Sequence, residues 1–501
     1  MEGLRMVDPL LLVTVIAVYF GSMALIAHYG RLKTGPGVEE YYIAGRKATG
    51  VVAALTYAAT TYSVFMMVGL VGLTYAYGVG ALGFELTYLL ATVLLLTIFA
   101  PRFWVAGRKW GYITPTQLLA DRYRSRSVGI VATIICLAFL IPYMSIQGMG
   151  SAYLLEELSG GVMPYAVGLT VVIALISICA LWGGFRGVAW TDSVQGIIML
   201  VTSLYLLFYL LYAYLGGWTG FVNIMESRYP ALLSVPGPGF FSFPKFLELT
   251  VPWFFFALTN PQVSQRLFVS RSVSSLKVMV VGFFIFGFLY TMITVTLGLM
   301  ARALGVEARP PDRAMPIILG TMVPPPLALI VMLGILSAGV TTVDSILLSL
   351  GSMVGRDVYA SLSRKPSEKV EMRIGYVVIL IEALLIWIFA MQRPGLISLL
   401  AVMSSGCLLA QLPAIVGAFF WRRGTAAGAL TSMVIGGVTT SLLYYYGLSP
   451  MGFGPPIWGL AFTAAIYVLV SLVSERPATA DAFIEEVEKG VREAIFKEEK
   501  G

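Results

Sequence analysis

A chain of 501 residues in which 58% are hydrophobic and 12% charged departs from soluble domains, where about a quarter of residues carry charge, and a soluble multidomain protein is excluded. Three cysteines and one histidine exclude a disulfide framework or a repeated zinc motif as the organising principle. The net charge of +7 is spread over short segments between long apolar runs rather than gathered on one basic face, which points to a membrane and away from nucleic acid.

A helix that crosses the hydrocarbon layer needs roughly 20 apolar residues, because lipid offers loops no hydrogen-bond partners. About thirteen such segments follow in chain order: Leu10 to His28, Val51 to Tyr77, Gly80 to Ala100, Val128 to Leu155, Met163 to Trp182, Val188 to Leu215, Leu247 to Gln265, Val278 to Ala303, Pro325 to Gly351, Ile374 to Phe389, Leu396 to Trp421, Ala426 to Tyr446 and Pro456 to Val473. The first is too long for a secretory signal and is followed by Arg31 and Lys33, so it is expected to persist as a helix. Lys and Arg concentrate on one set of connections, including Arg46, Lys47, Arg102, Arg108, Lys109, Arg122, Arg124, Arg126 and the loop from Arg356 to Arg373. Basic residues resist translocation, which predicts an outer amino terminus and, with an odd span count, an inner carboxyl terminus. No charged linker divides the chain, so residues 1–476 read as one membrane domain. The connection 216–244, rich in Gly, Pro and aromatic residues, either caps the bundle or joins its spans. In the tail, residues 477–501, Phe483, Ile484, Val487, Val491 and Ile495 recur at helical spacing among charges and predict a short cytoplasmic amphipathic helix lying on the bundle or on headgroups.

Two polar segments interrupt apolar spans. ALTYAATTYSVFMMVG places Thr56, Thr60, Thr61 and Ser63 in the second span, and LGILSAGVTTVDSILLSLGS places Ser337, Thr341, Thr342, Asp344, Ser345 and Ser349 in the ninth. A lone hydroxyl in such a helix bonds back to its own carbonyls, but adjacent threonines point about 100° apart and can both reach a small site at a helix crossing. Hard oxygen ligands of this kind, joined by carbonyls from a broken helix, suit Na⁺, with ordinary helix packing as the alternative. Three acids, Glu85, Asp192 and Asp344, lie in or at the ends of spans, where each needs a partner, a cavity or an ion. In LTNPQVSQR, Pro261 has no amide hydrogen and breaks the ladder, so Asn260 and Gln262 become candidates for a solute site or members of a simple kink. Tyr143 and Gln147 stand four residues apart on one face of the fourth span. His28, near the end of the first span, reads as an interfacial residue.

Taken in order, YYIAGRKATG, LWGGFRGVAWTDSVQ, NPQVSQR and SAGVTTVDS resemble the sodium:solute symporter family across nearly the whole chain. The resemblance implies an all-α multispanning membrane protein with a LeuT-type inverted repeat of five plus five helices, about 51–215 and about 247–421. It implies a sodium site made of the carbonyl oxygens of Ala59, Tyr62 and Ala338 with the hydroxyls of Thr341 and Thr342. Asp192 matches the family's WTD aspartate and implies a contribution to sodium coupling or to a second cation path. Asn260 and Glu85 match polar positions of the sugar-transporting members, whereas Thr61 stands where proline-transporting members carry Asp.

The implied function is sodium-coupled uptake of a small organic solute, without catalytic residues and with Na⁺ as coupling ion rather than a cofactor. A monocarboxylate or pantothenate-like carboxylate comes first, then proline or another amino acid, then a sugar. Thr61, Ser63, Tyr143, Gln147, Asn260 and Gln262 are the expected solute neighbours, with Glu85 beside them. The positive ends of broken half-helices can hold a carboxylate without a buried arginine. The competing classes are an ion channel and an intramembrane enzyme using Asp192, Glu85 or Asp344. Expected partners are the solute, Na⁺ and the lipids of the cell membrane. Stoichiometry, sodium versus proton preference and oligomeric state are not fixed by these residues.

Overall fold

In lipid every backbone amide must be satisfied within the protein, most simply by a helix, and the computed structural model is accordingly helical throughout its long elements. It describes residues 7–499; the ends of the expected domain and tail, residues 1–6 and 500–501, lie outside the described residues. The principal helices are α1 (Pro9–Leu32), α2 (Gly50–Thr61), α3 (Phe65–Tyr77), α4 (Gly80–Trp110), α5 (Arg126–Leu158), α6 (Tyr165–Ala213) and α7 (Phe243–Phe254). They continue with α8 (Val273–Ala303), α9 (Pro325–Met353), α10 (Glu368–Met391), α11 (Ile397–Phe420), α12 (Ala426–Tyr445), α13 (Pro455–Val473) and α14 (Ala480–Glu499). Local chemistry sets several starts: Asp8 accepts the amides of Leu10 (2.7 Å) and Leu11 ahead of Pro9, and Thr425 accepts that of Gly428.

Among the described residues ten helices are long and apolar enough to cross a membrane, or eleven when α2 and α3 count as one broken span. The protein is a multi-pass membrane protein. The difference from the thirteen expected spans has two sources. The expected fifth and sixth spans run together in α6, whose 49 residues would reach about 73 Å as a straight rod, more than twice the hydrocarbon thickness. The chain changes direction at Gly184 (φ 57°, ψ −178°), where an added Cβ would lie 2.9 Å from the Tyr41 ring. The expected seventh span is not one helix either: after α7 come short turns, Phe256–Thr259 and Pro261–Ser264.

Helix α9 lies at the centre, buried along nearly its whole length against α2, α5, α6 and α10. Its many Ser and Thr therefore face protein rather than lipid. Helix α1 rests on α6, where Gly30 and Gly187 meet backbone to backbone: a Cβ on Gly30 would lie 2.9 Å from the Gly187 Cα. The tail helix α14 lies on the bundle. Phe483, Ile484, Val487 and Val491 are its buried face, and Phe483 stacks on Trp110 at 4.8 Å. Ion pairs from Arg102 to Glu488 (2.7 Å), Arg422 to Glu485 (3.2 Å) and Lys109 to Glu486 fix its orientation. Phe483→Ala should weaken this anchorage by about 3 kcal/mol. Tryptic cleavage at Lys489 and Arg492 in detergent should then accelerate; unchanged protection would show that the ring does not hold the tail.

Candidate functional site

Helix α2 stops at Thr61 because Tyr62 turns extended (φ −91°, ψ 102°) after its amide closes the last bond, 2.9 Å to the Ala58 carbonyl. The carbonyls that follow are those a helix end leaves without amides. The chain resumes as α3 after a bend of 51°. Its first amides are capped by side chains: Val64 by Gln147 Oε1 at 3.0 Å and Phe65 by Ser63 Oγ at 3.2 Å. Thr61 bonds back to the Tyr57 carbonyl at 2.6 Å, and the Gln147 amide donates to the Tyr143 carbonyl at 3.1 Å.

Helix α9 crosses at this point. Thr341 Oγ1 lies 2.7 Å from the Ala59 carbonyl oxygen and 3.2 Å from that of Ala338, while Thr342 Oγ1 donates to the Thr60 carbonyl at 3.2 Å. The structure thus gathers Ala59, Ala338, Thr341 and Thr342 in a dry oxygen cluster and puts the Thr60 carbonyl beside it. Tyr62 closes α2 at the same place, and its ring stacks on Phe283 and Phe286 at 5.6 and 5.9 Å.

A second network begins one residue away. Thr60 Oγ1 lies 3.4 Å from Asp192 Oδ2 and 3.0 Å from Ser345 Oγ, so one residue touches both the threonine crossing and the acid. Asp192 Oδ2 also accepts from Thr56 (2.5 Å) and from Arg266 Nη2 (3.1 Å). Arg266 further donates to Ser345 Oγ (2.6 Å), Thr56 Oγ1 (3.1 Å) and the Gln262 carbonyl (2.7 Å), with its guanidinium over the Phe185 ring. Asp192 and Arg266 are 0% and 1% exposed, an ion pair sealed in the core. Asp344 joins it through Ser345 Oγ at 3.3 Å. Two carboxylates facing one guanidinium leave the pocket one positive charge short of neutrality when all three ionise, an arrangement that favours a cation nearby.

The third group surrounds the second break. Asn260 takes an extended conformation (φ −95°, ψ 113°) ahead of Pro261. Its Oδ1 accepts from Thr259 at 3.2 Å, while its Nδ2 and both polar side-chain atoms of Gln262 are buried without hydrogen-bond partners. Beside this break Trp253 is boxed by Phe65, Tyr88, Tyr143 and Phe256 at 5.1–6.2 Å. The Tyr62 and Tyr88 hydroxyls and Trp253 Nε1 are likewise unpartnered, and the buried Glu85 carboxyl is within electrostatic reach of Tyr62, Tyr88 and Tyr143. Buried polar atoms are nearly always bonded, so this concentration leaves hydrogen-bonding capacity that the protein itself does not use.

A family description for sodium:solute symporters matches residues 41–436. This chain belongs to the sodium:solute symporter family. The symporter is 28% identical over 473 residues to a sodium/pantothenate symporter of Haemophilus influenzae, covering 93% of this chain and 96% of the relative. It is 27% identical to the sodium/pantothenate symporter of Escherichia coli, with 94% and 96% covered. Against an osmoregulated proline transporter of Bacillus subtilis the identity is 26%, with 97% and 98% covered. Its fold matches that of a Na⁺-coupled sialic acid symporter in a substrate-bound outward-open state, with a TM-score of 0.76, 17% identity and 93% and 98% of the chains covered. A nucleobase-cation-symport-1 family transporter in a closed conformation matches at 0.54 and 13% identity, with 89% and 98% covered. The symporter is therefore a membrane transporter rather than an enzyme, its coupling ion is Na⁺, and it carries out sodium-coupled secondary active transport of a small solute.

Arg266, Tyr88, Trp253 and Phe256 are among the residues of these networks that the sequence did not disclose. Hydropathy puts Arg266 just beyond the seventh span, so a site without a buried arginine was expected; the short broken helix instead draws it into the core beside Asp192. The signal available was an excess of buried acid, which needs a cation. Asp192→Ala should cost about 3 kcal/mol of stability by stranding the guanidinium, and adding Arg266→Leu should recover part of the loss. Thermal unfolding of the purified single and double variants checks this; additive losses would mean the two residues act independently.

Proposed function

We propose that the symporter takes up a small organic carboxylate, a monocarboxylate or a pantothenate-like acid, with Na⁺ by alternating access. Thirteen crossings, with the amino terminus outside and the tail inside, form a single transport domain of residues 1–476, followed by the cytoplasmic tail of residues 477–501. Residues 51–215 and 247–421 are inverted five-helix repeats, a reading supported by the matching breaks at Tyr62 and Asn260, each in the first span of its repeat.

The observation that carries the mechanism is the contact of Thr341 and Thr342 with the carbonyls that α2 leaves open. Na⁺ exchanges its water shell for the carbonyls of Ala59, Tyr62 and Ala338 and the two hydroxyls, whose protons rotate away. The ion holds the end of α2 against α9, and Thr60 passes that constraint to Asp192, Ser345 and Arg266, which form the cation path toward the inside. Solute occupies the ground between the breaks, with Asn260 and Gln262 hydrogen-bonding it, Tyr143, Gln147, Thr61 and Ser63 bordering it and Glu85 accepting from its donors. A pantothenate-like acid supplies those donors as hydroxyls and an amide, and its apolar carbons suit the Trp253 box. The two pantothenate symporters among the relatives support this cargo. Coupling requires that sodium and solute each raise the other's affinity by the same factor. An inside-negative potential adds about 2.3 kcal/mol per charge for every 100 mV. Proline is the second reading, favoured by the Bacillus subtilis relative and by a buried Glu85 carboxyl able to face an ammonium.

Uptake into proteoliposomes tests both parts. Thr341→Ala and Thr342→Ala should each raise the sodium concentration for half-activation about tenfold, the loss expected for one ligand to a charged group. Gln262→Ala should raise the solute KM by a similar factor with sodium activation kept. Sodium dependence unaltered by either threonine change would remove the proposed ion site, and uptake of proline with no uptake of pantothenate or of a simple monocarboxylate would overturn the cargo.

A further inference from the structure

The end of the bundle that the proposed orientation places outside carries a cavity of about 920 Å³, separate from the buried constellation. Its lining includes Arg302, Arg309, Arg313, Glu157 and Glu307 with the rings of Tyr75 and Tyr229. The charges are not evenly matched. Arg313 is committed to Glu156 and Glu157 at 3.2 and 3.4 Å. Arg302, by contrast, has no ion pair among the described residues, and its Nε is buried without a hydrogen-bond partner. Two rings hold it in place: the guanidinium lies 5.0 Å from the Tyr75 centroid and 5.6 Å from that of Tyr229. A guanidinium fixed on aromatic faces keeps its fork of donors free and has little entropy left to lose on binding a planar oxyanion. Arg309, exposed in the loop that lines the same cavity, adds a second positive charge.

The cavity is also joined to the elements that carry the sodium site. Tyr75, on the distal half of the broken second span, donates to the Val306 carbonyl at 2.7 Å. The segment Pro311–Asp312 packs on Gly72 so closely that a Cβ there would lie 2.9 Å from its backbone. Asp312 in turn accepts the Ile397 amide at 2.8 Å, at the start of α11. One loop, continuing from α8, therefore binds α3 and α11 where the cavity opens.

We propose that this cavity is an entrance site for small oxyanions, in which Arg302 and Arg309 bind the carboxylate of a solute independently of Na⁺ before it reaches the buried constellation. The site captures anions that the cavity's field concentrates. It rests on the proposed orientation and on a carboxylate cargo. A lipid phosphate offers the same oxyanion chemistry, so the test separates the two sources.

Full-length protein in nanodiscs is titrated calorimetrically with pantothenate in sodium-free buffer. Saturable binding is expected in phosphatidylcholine discs, weaker at high salt. The doubly substituted Arg302→Gln/Arg309→Gln protein should lose affinity at least about tenfold. Arg302→Lys/Arg309→Lys, which keeps the charge, should recover part of the affinity. Absent sodium-free binding, or binding equal in the Gln variant, overturns the site, as does a Lys variant that melts like wild type yet binds no better than the Gln variant. If phosphatidylglycerol discs abolish pantothenate binding at every concentration, the cavity is a lipid site and the proposal also fails. Pantothenate that binds here but is not transported refutes only the cargo reading; pantothenate that is transported without sodium-free binding refutes only the entrance site.

Discussion

A backbone interrupted in a dry interior has to find partners for the groups that its helix no longer serves, and most of this architecture answers that need at Tyr62. Unpaired carbonyls there would each cost several kcal/mol in hydrocarbon. The Ala59 and Thr60 carbonyls receive the hydroxyls of Thr341 and Thr342, while the amides at the start of α3 are taken by Gln147 and Ser63. A hydroxyl suits this position because it satisfies a carbonyl as a donor and can turn to present its lone pairs to a cation. In the proposed ion site, the requirement for partners and the capacity to bind Na⁺ thus belong to the same atoms. This explains why α9 is both one of the most enclosed helices and one of the richest in Ser and Thr.

The ion pair of Asp192 with Arg266 obeys the opposite economy. Hydroxyls are cheap to bury, whereas a salt bridge at 0% and 1% exposure is kept only with every remaining donor engaged. Thr56, Ser345 and the Gln262 carbonyl engage Arg266, but Asp192 Oδ1 has no partner. That free oxygen and Asp344 give the pocket a negative bias beside Thr60, so displacement of the guanidinium and arrival of a cation compensate one another electrostatically.

The positions of the spans and of the polar clusters were legible in the sequence because polar residues inside long apolar runs have few explanations. Thr341 and Thr342 stand out among leucines and valines, and the amphipathic period of Phe483, Val487 and Val491 announces the docked tail. Arg266 was hidden by its place at the end of a hydrophobic segment, where an arginine normally reaches for the interface. Trp253 and Phe256 were hidden for another reason: aromatic residues at helical spacing look like ordinary core until the unpartnered Trp253 Nε1 is seen together with those of Asn260 and Gln262. The run-on of two expected spans into α6 escaped because a Gly pair keeps the hydropathy of a helix while allowing the backbone at Gly184 to reverse. Local composition records what a segment prefers to contact, but not where a neighbouring break will steer it.

The abutment of Gly30 against Gly187 bears on how the bundle can move. With no side chain between them, α1 and the second half of α6 interlock like a tenon in its mortise, and sliding one past the other would drive backbone into backbone. Although α1 lies outside both proposed repeats, it is obliged to travel with the helix that carries Asp192. Any rocking of the transporter must find its slip plane elsewhere, along surfaces padded by flexible side chains.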